Sequence, residues 1–111
     1  MNTFIVLYCM PHTGLADWMK IPEEQRKEEE GKLKVLWDTW AKEHSASIRE
    51  TAGAGATSRV TTAGVADAHN DVMMYSIVTA EGKEAATAMF IGHPHLQIPG
   101  AWIDVMPAKV M

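Results

Sequence analysis

Two histidines flank a proline in Gly92-His93-Pro94-His95, and Asp104 follows in an alternating segment that runs from Ala101 to Pro107. Imidazole titrates near neutrality, so His93 and His95 are candidates for moving a proton, with Asp104 as the carboxylate partner. The same histidines could serve as metal ligands. A metal site needs three or four donors, however, and the others at hand, Asp104, His69, His12 and Asp71, stand at no diagnostic spacing. No metal is therefore expected. A structural role competes with both and is favoured: an imidazole near a helix C-terminus interacts well with the dipole, and His95 would fix the loop. Asp104 shares its side of the segment with Trp102 and Met106. Facing an apolar cavity, that carboxyl would have a raised pKa and act as a base. At a plain strand end it would instead accept from a backbone N–H.

Other candidates carry less. Trp37 and Trp40 fall on one helical stripe, which favours core packing over ligand stacking. Ala52-Gly53-Ala54-Gly55-Ala56 lacks the Lys-Ser/Thr ending of a phosphate loop and reads as a permissive turn or bulge. Asp67, His69 and Asp71 share one stretch and read as turn formers, and Glu28-Glu29-Glu30 as a solvated helix face. Cys9 sits in an apolar run as filling, with nothing near it in sequence to lower its pKa. Neither a Ser-His-Asp or Cys-His signature nor a nucleotide fingerprint is found, and no cofactor is expected.

The chain of 111 residues is the size of one domain, and an apolar fraction of 47% with 22% charged residues fits a globular protein. A net charge of -4 without a basic cluster argues against nucleic acid as a partner. The single cysteine cannot form an internal disulfide, which suits a reducing compartment. Phe4 to Met10 lacks a basic leader and reads as a strand rather than a signal peptide. No stretch reaches the ~20 apolar residues that span a bilayer. A soluble, cytoplasmic protein is expected.

These residues must be positioned by a short list of elements. The unbroken apolar run Phe4–Met10 predicts a central strand, and Pro11 to Lys20 a loop holding His12, Asp17 and Trp18. A helix is predicted from Pro22, with Glu23 and Glu24 at its positive end. Leu33, Leu36, Trp37, Trp40, Ala41 and His44 form its stripe, and its first half is polar. A strand, an irregular glycine-containing segment and a short edge strand over Thr57–Thr62 follow, and Gly64 to Asp71 is expected as loop. Val72–Thr79 predicts a second central strand. Gly82–Gly92 predicts the second helix, with Ala85, Ala86, Met89 and Phe90 inward, stopped by Pro94. In the closing strand Ala101, Ile103 and Val105 oppose Trp102, Asp104 and Met106.

The order β-α-β-β-α-β predicts a single α+β domain over residues 1–111, a four-stranded antiparallel sheet with two helices on one face. Its other face, carrying Trp102, Met106, Tyr8 or Cys9, and Tyr75 or Met74, is too apolar to leave in water. A second copy is the simplest cover. The expectation is a homodimer whose sheets face each other about 10 Å apart around a partly polar cavity.

Thr57-Ser58-Arg59-Val60, Tyr75-Ser76-Ile77-Val78, Gly92-His93-Pro94-His95-Leu96 and Ile103-Asp104-Val105-Met106-Pro107 resemble the YCII-related group of the dimeric α/β-barrel superfamily, which has ferredoxin-like topology. The resemblance runs from Phe4 to Pro107 and is most specific in the C-terminal half. It implies a small dimeric protein, and a few relatives are enzymes acting on hydroxylated aromatic rings. Several members carry a histidine on the first helix paired with an aspartate before a proline. Here His93 takes the aspartate's place, and Lys32 to Lys34 has no histidine, so that pair does not transfer. The preferred expectation is a cavity that binds a small ligand, lined by Tyr8, Tyr75 and Trp102 with His93, His95 and Asp104. The alternative is a cofactor-independent enzyme for a phenolic or quinone-like compound, using a loop histidine and Asp104.

Overall fold

The apolar run at the start becomes strand β1 (Asn2–Cys9), and it takes the inner place in the sheet because both its edges are paired. The computed structural model describes residues 1–111, the side chain of Leu15 excepted. Strand β5 (Val72–Ala80) runs antiparallel along one edge of β1, and β6 (Trp102–Pro107) antiparallel along the other. Strand β2 (Ile48–Gly53) completes the four-stranded order β2-β5-β1-β6 from the outside of β5. With helix α2 (Glu23–Glu43) joining β1 to β2 and helix α3 (Lys83–Ala88) joining β5 to β6, this is the ferredoxin-like α+β arrangement. Among the described residues, no helix is long and apolar enough to cross a membrane.

Register decides which side chains share a face. Val6 lies opposite Ser76 and Val105, and Tyr8 opposite Met74 and Ile103. Because side chains alternate along a strand, Phe4, Val6, Tyr8, Ser76, Val78, Ile103 and Val105 all look toward the helices. There they meet Trp40, Ala86 and Phe90 in the core. Ile5, Leu7, Tyr75, Ile77, Trp102, Asp104 and Met106 look the other way, and among the described residues they are half-buried, with Asp104 exposed.

Only the second half of α2 packs. Trp40 is buried and Trp37 and Ala41 are partly so, whereas Val35 and Leu36 are exposed and the acidic first half is solvated by Lys27–Glu23 and Lys32–Glu28 pairs. The helix begins one residue later than predicted, since Pro22 serves as its N-cap. Helix α3 is shorter than predicted. It ends at Ala88 and hands over to turns that finish at Gly92, whose φ of 74° sets the reversal before His93. Ala86, Met89 and Phe90 point inward as expected, but Ala85 is exposed.

Two stretches differ in kind. Thr13–Met19, inside the expected loop, forms a short helix α1. Gly64–Ala68, also expected as loop, is strand β4, and it pairs with β3 (Thr57–Thr61) in a separate two-stranded hairpin instead of leaving β3 on the main sheet. Gly64, with φ of 119°, lets the chain reverse after Thr61, so that Val60 finds Val65 across the ribbon.

Candidate functional site

Tyr8 is fully buried on the helix side of the sheet. Its hydroxyl lies 2.9 Å from Ser76 Oγ, which in turn lies 2.7 Å from Thr51 Oγ1, so the phenol is satisfied by a chain of hydroxyls across three strands. Burial raises its pKa, partly offset by the Ser76 contact. The ring packs on Trp37 at 4.9 Å and edge-on to Phe90 at 6.1 Å.

His93 completes this aromatic box. It is 1% exposed, with its ring 4.3 Å from Trp37, 4.4 Å from Trp40 and 5.4 Å from Tyr8. Its Nδ1 accepts from the His95 backbone N–H at 2.9 Å, which caps the short 3-10 helix Pro94–Gln97. That bond fixes the tautomer: the proton of the neutral ring sits on Nε2, which has no hydrogen-bond partner. Burial, with His95 and His44 nearby, lowers the His93 pKa to about 4, so the ring is neutral at physiological pH. His95, also buried, donates from Nε2 to the Cys9 carbonyl at 2.8 Å and ties the loop to the end of β1. Both imidazoles are thus committed to holding the loop on the core.

The opposite face is built differently. Leu7 lies at its centre, opposite Tyr75 on β5 and Asp104 on β6. Ile5 is flanked in the same way by Ile77 and Met106, and Cys9 lies opposite Trp102. Trp102 donates from Nε1 to Asp104 Oδ2 at 3.4 Å, which couples an indole to a carboxylate that is itself exposed. Across the sheet, the Tyr75 phenol pKa is raised, first by hydrogen bonding to the Glu50 carboxylate and then by partial burial and the Glu50 charge. Glu50 lies opposite Ile77 on the same face. Burial, with the charges of Asp104 and Asp71, raises the Cys9 thiol pKa and keeps it protonated. The face is therefore an apolar floor with Tyr75 and Glu50 toward its β2 edge and the hydrogen-bonded Trp102 and Asp104 on its β6 edge.

The expected site divides between the two faces. Tyr75, Trp102 and Asp104 share the bare face. Tyr8 does not: it opposes Ile103, not Trp102, and its hydroxyl is used within the core. His93 and His95 lie in the helix layer, and neither is hydrogen-bonded to Asp104, so the proposed loop-histidine and aspartate pair is not assembled within one chain. Glu50 was not singled out from the sequence, where β2 carries no apolar alternation strong enough to assign its faces. Near the C-terminal end of β1, His12 bonds Asp71 through its backbone N–H at 3.1 Å and through Nδ1 at 3.2 Å, and stacks on His69. Among the described residues, no three of His, Cys, Asp and Glu gather into a group able to hold a metal.

No protein-family model and no curated protein matches the sequence. The fold is similar to that of a solved structure, the 5-chloro-2-hydroxyhydroquinone dehydrochlorinase TftG from Burkholderia phenoliruptrix AC1100 in complex with 2,5-dihydroxybenzoquinone. The match has a TM-score of 0.56 and 12% identity, and covers 100% of this chain and 96% of that one. At that identity the two share a fold.

Proposed function

We propose that the bare sheet face binds a small planar phenolic or quinone-like compound and that a second copy of the chain, docked face to face, encloses it. One observation carries the reading: a half-buried apolar floor of Ile5, Leu7, Ile77 and Met106 shares its face with Tyr75 and Glu50 on one side and the hydrogen-bonded Trp102 and Asp104 on the other. A flat ring fits the floor, and hydroxyl or carbonyl groups at its rim meet a carboxylate or a phenol on either side. The related fold of TftG, solved with a dihydroxybenzoquinone, supports the choice of ligand class. In this reading the chain belongs with the YCII-related dimers that its sequence resembles.

Calorimetric titration with 2,5-dihydroxybenzoquinone tests the reading. Wild type is expected to bind, and Trp102→Ala to weaken binding about 10- to 100-fold, from loss of one stacking wall and of the Asp104 partner, at about 1.4 kcal/mol per tenfold. Equal affinity in wild type and Trp102→Ala, or no heat at millimolar probe, sinks it.

The second reading is turnover, supported by the dehydrochlorinase activity named for TftG. Here it rests on Asp104 as base with Tyr75 opposite, not on His93 or His95. Consumption of a chlorinated hydroxyhydroquinone that stops in Asp104→Asn would favour this second reading over simple binding.

A further inference from the structure

We infer that His12, oriented by Asp71, is a proton-accepting site at the C-terminal end of β1 for a small acidic hydroxyl compound, a phenol or a hydroxyquinone. The inference rests on the ligand class proposed above and needs no second copy of the chain. It names the group that takes the ligand's proton.

Main chain and side chain build the pair together. Past the end of β1, the Met10 backbone N–H donates to the Asp71 carbonyl at 3.0 Å, which brings this loop against the start of β5. There Asp71 Oδ1 accepts from the His12 backbone N–H at 3.1 Å and from its Nδ1 at 3.2 Å. Those bonds hold the Asp71 carboxyl below its ordinary pKa, so it is a carboxylate at neutral pH. A carboxylate can only accept, so Nδ1 of the neutral His12 ring carries the proton and Nε2 keeps its lone pair. This is the opposite tautomer to that of His93. The His69 ring lies parallel to that of His12, with centroids 5.7 Å apart. Among the described residues, Asp71 and His69 are the titratable groups bonded to or stacked on the His12 ring.

The other imidazoles are less fitted to the task. His93 and His95 are buried, and His44 spends its Nδ1 on the Trp40 carbonyl while its ring stacks on that indole. His69 has no carboxylate partner among the described residues. The His12 side chain is 59% exposed, and hydrogen bonding within the described chain uses only its Nδ1.

Two observations place the pair beside the ligand surface. Pro11, the residue before His12, packs on Gly100 at the approach to β6, 3.4 Å from where a side chain there would begin. Cys9 lies opposite Trp102, and the charges of Asp104 and Asp71 both push its thiol pKa up. His12–Asp71 and Trp102–Asp104 therefore stand at one end of the sheet. A ring stacked on Trp102 turns its hydroxyl toward His12. The O–H bond breaks, its proton passes to Nε2 and its electron pair stays on oxygen. The imidazolium that forms lies between the phenolate and the Asp71 carboxylate, and no other reactant is needed.

Binding of 4-nitrophenol near neutral pH reads the transfer, because its phenolate absorbs in the visible and its phenol does not. Bound to wild type, the probe is expected to show a phenolate-to-phenol ratio about 10-fold higher than when bound to His12→Gln. Glutamine keeps the backbone N–H that ties residue 12 to Asp71, so the loop should hold its place. Asp71→Asn should lose most of the effect. Nitrogen–proton NMR of the imidazoles gives a reading that no merely structural role would move: His12 protonated on Nδ1 in wild type, shifting toward Nε2 in Asp71→Asn, with His93 on Nε2 in both. Equal phenolate ratios in wild type and His12→Gln, or a wild-type His12 protonated on Nε2, overturn the assignment and leave the ligand reading standing. A wild type that does not bind 4-nitrophenol also overturns it; if 2,5-dihydroxybenzoquinone is not bound either, the ligand reading falls with it.

Discussion

His93→Ala is expected to lower stability by about 3–5 kcal/mol, the range of a large buried side chain cut back to Cβ, and the melting temperature by roughly 12–20 °C. Two losses combine. The ring fills the space between Trp37, Trp40, Phe90 and Tyr8, and its removal leaves a cavity that rigid aromatic neighbours close poorly. The His95 amide also loses its acceptor and with it the start of the Pro94–Gln97 helix. His93→Asn separates the two, because asparagine is a good cap but does not fill the box; it should fall between wild type and alanine. Thermal and urea melts of the three proteins measure this. A melting temperature within 2–3 °C of wild type for His93→Ala, on the order of half a kilocalorie, would contradict the packing role.

The same residue should make the protein acid-sensitive well above the carboxylate range. With a folded-state pKa of about 4 against an ordinary 6.5, the unfolded chain binds the proton more readily than the folded one. His93's contribution is therefore complete above about pH 6.5 and is lost as pH falls toward 4, with a slope of at most about 1.4 kcal/mol per pH unit. The total loss is on the order of 3 kcal/mol. His95 and His44, which lie near the ring and oppose its protonation, remain in place in His93→Asn. The difference in urea stability between wild type and that variant should shrink as pH drops from 7 to 4. A constant difference would mean that His93 protonates freely in the folded state.

Most of the architecture was legible because pattern and packing agree. Continuous apolar runs became β1 and β5, the alternation after Ala101 placed Trp102 and Asp104 opposite Ile103, and the Trp37–Trp40 stripe became core. Continuous runs have a cost: in Phe4–Met10 every position is apolar, so nothing marks which residues face the helices. The pattern alone therefore lets Tyr8 line the chamber, whereas its phenol is balanced by Ser76 and Thr51, distant in sequence. The β3–β4 hairpin was half-legible, since Thr57–Thr61 has strand propensity whereas Gly64, Ala66 and Asp67 have little and gain their conformation from pairing. Its spacing places His93 at the end of the helix before it, whereas it caps the short helix after it. A histidine Nδ1 accepting from a backbone N–H two residues on leaves no mark in spacing or composition.

The central claim is that the sheet's helix-free face is both the dimer contact and the ligand surface. Methyl NMR of Ile5, Leu7, Ile77 and Met106, recorded on dilution and then on titration with 2,5-dihydroxybenzoquinone, tests it most directly. The account predicts that these four respond to both treatments while Val6 and Val78, on the helix side, stay still. Methyls on the bare face that ignore both treatments, with any response confined to Val6 and Val78, would contradict it.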